Sequence, residues 1–144
     1  MTATTTRREQ ILAFIASALE DTEGVSGRVY RSRVEAFSRN EAPAVIIEPG
    51  PDRAQVYATC KLDWTMDVLV VVHTRGQITD QLADPILLDA HSKLMADRTL
   101  GGLAIDIVPT ITDPQRDKAD LTSLWQVNTY QVRYRTAVDN LSGP

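Results

Sequence analysis

Strict alternation of apolar residues over one segment limits the fold more than any other feature of this sequence. Between Val56 and Thr74 an apolar side chain occupies every second position, at Leu62, Trp64, Met66, Val68, Val70 and Val72. A period of two places these side chains on one face of a β-strand. The opposite face begins polar and becomes apolar, in the order Lys61, Asp63, Thr65, Asp67, Leu69 and Val71. We therefore predict one long strand, covered on both faces in its second half, that protrudes from the domain as half of an arm.

Two segments have the three- and four-residue spacing of amphipathic helices. The first runs from about Thr6 to Glu20, and Thr6 and Glu9 have the spacing of a capping box. The second runs from about Thr79 to Asp97, where Pro85 either follows an Asp84 cap at the first helical position or marks a kink. The apolar face predicted for this second helix consists of Leu87, Leu88, His91, Leu94 and Met95.

Shorter patterns predict four more strands. The first two lie within Arg28 to Arg33 and at Ala44 to Ile47, and the second of them ends in a turn at Pro49-Gly50-Pro51. Leu103 to Ile107 alternates as a strand that Pro109 confines to an edge or interrupts. Leu124 to Thr136 reads as a long strand whose apolar phase changes near Asn128, which indicates a bulge or a change of covered face.

The order of elements, αβββαββ, defines the fold class. We predict an α/β protein of the α+β type, with a single mixed, mainly antiparallel sheet, two helices packed on it and a long protruding hairpin. Asp113 to Asp120 carries many charges and no core residue, so it is predicted to be a loop. At 144 residues, 43% of them apolar, residues 1–144 are expected to form one domain, with 1–5 and 137–144 as flexible ends.

Charge and apolar run length argue against two classes of partner. The net charge of -4 repels a polyanion, and no Lys/Arg cluster larger than a pair is present, so we expect no sequence-specific nucleic acid. The longest apolar run, Val68 to Val72, is far shorter than the ~20 residues of a membrane-spanning helix. The first thirty residues lack the pattern of a secretion signal, so neither membrane insertion nor export is expected.

The residues that most resemble a metal site are Asp63, Asp67 and His73, which share one strand face. At a rise of ~3.3 Å per residue, Asp63 and Asp67 are too far apart to chelate one ion unaided. We therefore expect no metal, no cofactor and no catalytic centre. His91 is expected to be a partly buried, hydrogen-bonded histidine, and Cys60 a packing thiol that reacts slowly with thiol reagents.

Several aromatic and basic side chains lie on the predicted strands. Trp64, Trp125, Tyr130 and Tyr134 are expected in the core, as aromatic residues at strand spacing usually are. Arg133 and Arg135 share one face of the last strand, where they can meet Asp63 and Asp67 across strands or across subunits.

The order of elements and four phrases resemble the tail terminator (tail completion) proteins of long-tailed phages and prophages, which cap the head-proximal end of the tail tube. The phrases are Arg28-Val29-Tyr30, Ala42 to Gly50, Leu94 to Asp97 running into Leu100 to Leu103, and Tyr130 to Thr136. The resemblance covers most of the chain from about Gly24 to Thr136 and lies in the whole pattern rather than in one motif.

The resemblance implies a structural protein that forms a hexameric ring, stops tube polymerisation and presents a surface to the head. Its implied partners are other copies of itself, the tail tube protein and the head-tail connector, with no enzyme activity and no cofactor. It implies a place in the virion tail after assembly in the cytoplasm of the bacterial host. Because charged loops select partners, we expect interface residues near Pro49 to Arg53, near Asp113 to Asp120 and on the polar strand faces. The candidates are Asp52, Arg53, Asp63, Asp67, Arg116, Asp117, Lys118, Arg133 and Arg135.

Two alternatives stay open. A head-tail connector or another minor tail component has the same pattern of a sheet, two helices and a long hairpin. A reading of a different class is a small metal- or ligand-binding enzyme that uses the strand face of Asp63, Asp67 and His73. Stoichiometric Zn, Mn or Ni in the purified protein would favour that reading.

Overall fold

A computed structural model describes residues 5–33, 37–116 and 122–144. Within these ranges the chain forms two α-helices, a short 3-10 helix (Arg39–Glu41) and five β-strands. In chain order the main elements are α1 (Arg7–Leu19), β1 (Val29–Arg31), β2 (Ala44–Ala58), β3 (Lys61–Arg75), α2 (Thr79–Met95), β4 (Asp106–Arg116) and β5 (Ser123–Ala137). The predicted order αβββαββ and the α+β fold class are confirmed.

All five strands belong to one mixed sheet with the strand order β1-β2-β3-β5-β4. The short β1 pairs in parallel with β2, whereas every other pair is antiparallel. The central pair, β3 and β5, keeps one unbroken register from Lys61 opposite Ala137 to Arg75 opposite Ser123. The predicted long hairpin is formed by β2 and β3, and β5 accompanies it over its whole length.

Both helices pack on the same face of the sheet. The buried residues of α1 recur at helical spacing and are Ile11, Leu12, Ile15 and Leu19. They meet alternate residues of β3, which are Met66, Val68, Val70 and Val72. Burial of each such side chain contributes roughly 1.5–3 kcal/mol. In the described residues neither helix has the length and apolar character needed to cross a membrane.

Helix α1 begins close to the predicted residue, but its cap differs from the predicted box. The side-chain oxygen of Thr6 accepts a hydrogen bond from the Glu9 backbone N–H at 3.1 Å, as a capping residue does. The Glu9 carboxylate does not close the box, because it accepts two hydrogen bonds from Arg31 at 2.8 Å. The acidic residue therefore links the start of α1 to β1 across the sheet surface.

The buried face of α2 lies to one side of the predicted face. It consists of Thr79, Ala83, Ile86, Ala90 and Leu94, whereas Leu88 is 69% exposed. The small alanines let the helix approach the sheet closely, and the bulkier leucines are left on the flank. Pro85 lies inside the helix and Ile78 is the cap, so the alternative with an Asp84 cap and Pro85 at the first position is wrong.

The predicted turn at Pro49-Gly50-Pro51 is wrong, because β2 continues through it to Ala58. Among the described residues, none pairs with β2 on the β1 side beyond Ile47, so this part of β2 is an edge strand, where the missing proline N–H groups cost little. The pairing of β2 with β3 shifts register between Pro49 and Asp52, and this bulge accommodates the irregular residues. Val56 consequently lies in β2, and β3 begins only at Lys61.

A similar correction applies to β4. The strand starts at Asp106, passes Pro109 through a register shift before Ile111 and ends at Arg116. β4 is an edge strand, which confirms the alternative in which Pro109 confines the strand to a sheet edge. Residues 113–116 are therefore strand and not loop, and the rest of the predicted loop, 117–120, lies outside the described residues.

The sheet face opposite the helices is here called the open face, and within the described residues it is covered at one end. There Phe37 packs against Tyr30, His73 and Trp125, with ring centroids 5.3–5.7 Å apart. This cover buries Val71 and His73, which confirms the predicted double coverage of the second half of β3. This cover also explains the phase change in β5, because the side chain of Trp125 lies on the open face, whereas those of Tyr130 and Tyr134 lie on the face that packs against the helices. The predicted bulge near Asn128 is absent from the β3–β5 register.

Candidate interaction surfaces

The outer part of the β2–β3 hairpin is exposed. Every residue from Arg53 to Cys60 is exposed to solvent, and we call residues 53–62 the distal hairpin. Two of its apolar side chains are far from any core, because Val56 is 73% and Tyr57 58% exposed. Apolar side chains grouped on a projecting element are typical of contact surfaces.

The open face of the distal hairpin forms a basic groove of about 720 Å³, lined by Arg53, Gln55, Tyr57, Asp63, Thr65, Arg133 and neighbouring residues. The predicted cross-strand ion pair between Asp63 and Arg135 is present, with Nε and Oδ1 2.7 Å apart. This hydrogen bond raises the pKa of the Arg135 guanidinium, which also lies 3.6 Å over the Tyr57 ring. Arg53 forms no ion pair with the described residues, whereas Arg133 lies directly opposite Asp106 of β4 and helps to lower the pKa of that carboxyl group. The positive charge in this groove without a partner among the described residues is therefore that of Arg53.

The other predicted partners do not come together. Asp67 lies opposite Gln131, and Arg133 opposite Thr65. His73 is fully buried and stacks on Trp125 with centroids 3.8 Å apart, far along β3 from Asp63. Over the described part of the chain, no three His, Cys, Asp or Glu residues are placed to hold a metal ion.

Asp52 lies within the subunit rather than on an exposed surface. Its side chain is 11% exposed, and Oδ2 accepts a hydrogen bond from Nη1 of Arg8 at 3.1 Å and another from the Tyr134 hydroxyl. Burial, followed by the hydrogen bond to Asp52, raises the pKa of Tyr134. Arg8 also donates to the Gly50 carbonyl at 2.9 Å, so Asp52 joins α1 to the irregular part of β2.

The remaining predicted interface residues are at the far end of β4. Arg116 is exposed, and its Nη1 donates to the Thr79 hydroxyl at 3.1 Å, which ties β4 to the start of α2. Asp117 and Lys118 lie outside the described residues.

The expected burial of Cys60 is wrong. Thr59 and Cys60 form the turn of the β2–β3 hairpin, where Cys60 is exposed and has a φ of 67°. A hairpin turn without Gly or Asn gives little sequence indication of its position. The thiol is therefore accessible at the tip of the distal hairpin.

A second apolar surface lies between α2 and β4. This α2–β4 groove, of about 310 Å³, is lined by Asp84, Leu87, Leu88, His91, Pro109, Ile111, Thr112, Asn128, Thr129 and Tyr130. Leu88 and Ile111 on its rim are 69% and 60% exposed. At its floor His91 Nδ1 and the Tyr130 hydroxyl are 2.8 Å apart, which confirms the expected hydrogen-bonded histidine, and burial raises the pKa of Tyr130 to about 12. The leucines that fall outside the buried stripe of α2 are the one sequence feature that points to this groove.

No protein-family model matches the chain, and no curated protein matches its sequence. Among solved structures, the chain is similar to one chain of the virion of a native gene transfer agent (GTA) particle. The sequences are 9% identical, and the match covers 85% of this chain and 92% of that chain with a TM-score of 0.55. At this identity the similarity establishes a common fold.

Proposed function

We propose that the chain is a structural protein of a phage or prophage virion. The observation that carries the proposal is the common fold with a chain of a virion, matched over 85% of this chain and 92% of the other. The resemblance of four sequence phrases to tail terminators agrees with it independently. Because folds are shared by unrelated functions, the proposal depends on the two observations together.

The specific role that we propose is that of a tail terminator. A ring of copies, six in the family that the sequence resembles, caps the head-proximal end of the tail tube. One face of the ring binds the last ring of tube protein, and the other lacks the complementarity needed to add more tube protein. That other face receives the head-tail connector.

In this proposal the chain acts through surfaces and not through catalysis, and it needs no cofactor. The surfaces available are the distal hairpin, with Val56, Tyr57 and Arg53, and the α2–β4 groove at the other edge of the sheet. Its partners are other copies of the chain, the tube protein and the connector. It resides in the tail of the virion after assembly in the cytoplasm of the bacterial host.

A head-tail connector, or another minor tail component, is the second candidate. The similar chain belongs to a virion, and a fold common to virion proteins suits this role as well. The two roles differ in one outcome. Only a terminator limits the length of the tube.

Deletion of the gene in the bacterium that carries the phage or prophage separates these roles. Loss of a terminator is expected to give headless tails of uncontrolled length, whereas loss of a connector gives headless tails of normal length. Electron microscopy of the particles measures both properties, and complementation with the wild-type gene is the control. Normal virions in the deletion strain would contradict both candidates.

A further inference from the structure

Two exposed apolar surfaces lie at opposite edges of the one sheet. The distal hairpin belongs to the β2 edge, and the α2–β4 groove to the β4 edge. Along β5, Ile111 pairs with Thr129, whereas the tip residue Lys61 aligns with Ala137 through β3. These positions are about 26 Å apart at the rise of a strand, so the tip and the groove of one chain cannot meet.

The two surfaces are complementary in their apolar content. Val56 projects from the distal hairpin and is 73% exposed, whereas its neighbour Tyr57 points to the opposite face, where the Arg135 guanidinium lies over its ring. The α2–β4 groove offers Leu88 and Ile111 at its rim and the ring of Tyr130 at its floor. Its volume of about 310 Å³ is at the lower end of the roughly 300–1,000 Å³ of ligand pockets, which suits one or two inserted side chains.

The two surfaces also carry opposite charge. The distal hairpin presents Arg53 and Lys61, and neither forms an ion pair with the described residues. On the groove side, Asp80 and Asp84 lie one turn apart on the exposed side of α2, and neither forms an ion pair within the described ranges. Opposite potentials on two such surfaces favour one mode of docking and accelerate encounter.

We propose that the distal hairpin of one copy docks in the α2–β4 groove of the next copy. Val56 enters the groove, and Arg53, three residues earlier on the same edge strand, faces Asp84. Because each chain offers one tip and one groove, the contact is heterologous, and its repetition closes a ring when the rotation between copies allows it. This inference rests on the proposed function, since it identifies the contact that would hold the ring together.

Single substitutions on exposed side chains test each surface without disturbing the core. Val56→Asp and Leu88→Asp each place a charge in the apolar contact, and each is expected to raise the concentration needed for assembly by at least about tenfold. Leu141→Asp is the matched control, because Leu141 is 48% exposed and lies outside both surfaces. Circular dichroism checks that each variant keeps its fold.

Charge reversal tests the pairing itself. Arg53→Glu and Asp84→Lys are each expected to weaken assembly, because each places like charges against each other. Both substitutions in one chain are expected to restore it to near the wild-type concentration. Equal weakening by the double variant and by the single variants would overturn the pairing of Arg53 with Asp84.

Mixing the two dissociated variants is the decisive experiment. Val56→Asp chains keep a groove and Leu88→Asp chains keep a tip, so one contact per pair survives. Light scattering is expected to find a 1:1 complex of twice the 15.9 kDa subunit mass and nothing larger. Homodimers in either variant alone would overturn the heterologous contact, and so would variants that assemble like the wild type.

The outcomes separate this contact from the proposed function. If the wild-type chain forms rings and the Val56→Asp and Leu88→Asp variants form them equally well, the proposed contact is wrong, but ring formation is still supported. If the wild-type chain stays monomeric at every concentration, the contact is wrong, and the length of tails in the deletion strain still decides the proposed function by itself.

Discussion

Asp52 shows how a residue that resembles a surface charge in the sequence becomes part of the interior. It follows Pro51 in a polar stretch, which suggests an exposed turn, yet the carboxylate receives hydrogen bonds from Arg8 and Tyr134. The partners come from α1 and β5, 44 and 82 residues away in sequence. A local pattern contains no information about such partners, so burial of the aspartate could not be predicted.

Asp52→Ala is expected to lower the free energy of unfolding by about 1–3 kcal/mol, because Arg8 and Tyr134 lose their acceptor in a partly buried site. Urea denaturation followed by circular dichroism measures this. Arg53→Ala is the control, since Arg53 is exposed and should change stability by about 0.5 kcal/mol or less. Equal stability of the two variants would show that the network contributes nothing.

Glu41 predicts an acid dependence of stability. Arg33 Nη1 donates to its carboxylate at 2.7 Å and the Ser38 backbone N–H at 3.0 Å, which lowers the pKa of Glu41 to about 2. Since this pKa is below the ordinary value of 4.5, the stabilisation is complete above pH 4.5 and is lost as the pH falls toward 2.

Thermal unfolding of Glu41→Gln is therefore expected to differ from that of the wild type more at pH 6 than at pH 2.5. Glu48→Gln serves as control, because Glu48 is exposed and forms no ion pair with the described residues. The same gap between Glu41→Gln and the wild type at both pH values would contradict the assigned role of Glu41.

At the scale of elements, proline and glycine misled the prediction of strand ends. The turn predicted at Pro49 to Pro51 and the loop predicted from Asp113 onward lie instead in strands at the edges of the described sheet, where a missing proline N–H leaves no partner unsatisfied. Which strands lie at the edge depends on the order in the sheet, and the order is a property of the whole fold. The long alternating segments were predicted well because successive side chains of a strand lie on opposite faces, so the alternation of apolar and polar residues shows which face is buried.

Gly50 occupies the irregular part of β2 because space there is limited. A Cβ at this position would lie 2.9 Å from the carbonyl oxygen of Asp67 in the backbone of β3. Gly50→Ala is therefore expected to separate the strands locally and to lower the free energy of unfolding by about 1–3 kcal/mol in urea denaturation. Gln55→Ala, at an exposed position of the same strand, should be close to wild type. A Gly50→Ala variant as stable as Gln55→Ala would contradict the close approach.

The turn of the β2–β3 hairpin makes a prediction about the one cysteine. Cys60 is exposed at the tip, so a disulfide reagent such as DTNB is expected to modify the native protein at a rate within about tenfold of the unfolded rate. Stopped-flow absorbance with and without urea measures both rates. Reaction only after unfolding would contradict this turn position.

At the scale of the whole molecule, the αβββαββ order and the single sheet followed from periodicity, since each element carries its own pattern. The candidate surfaces did not. The α2–β4 groove joins Leu88 to Ile111 and Tyr130, and the basic groove joins Arg53 to Arg133, through strand pairings between distant segments. Charged residues could be proposed for interfaces from the sequence, but the structure is needed to show that Asp63 is paired with Arg135 and that Arg53 has no ion-pair partner among the described residues.

In the proposed assembly, both edges of the sheet take part in contacts between copies. A soluble monomer usually protects its edge strands, and both edges here carry prolines that discourage uncontrolled pairing. Side-chain contacts at the tip and in the groove can then join copies without continuous β-pairing. In the proposed contact, assembly stops at a closed ring when the rotation between copies closes.

The most direct test of the central claim is the solution mass of the purified chain. Light scattering over a concentration series, followed by negative-stain imaging of the largest species, is expected to show a closed ring with a central hole, at six times the 15.9 kDa subunit mass for a hexamer. A mass of 15.9 kDa at every concentration, with no ring in the images, would contradict self-assembly of the chain.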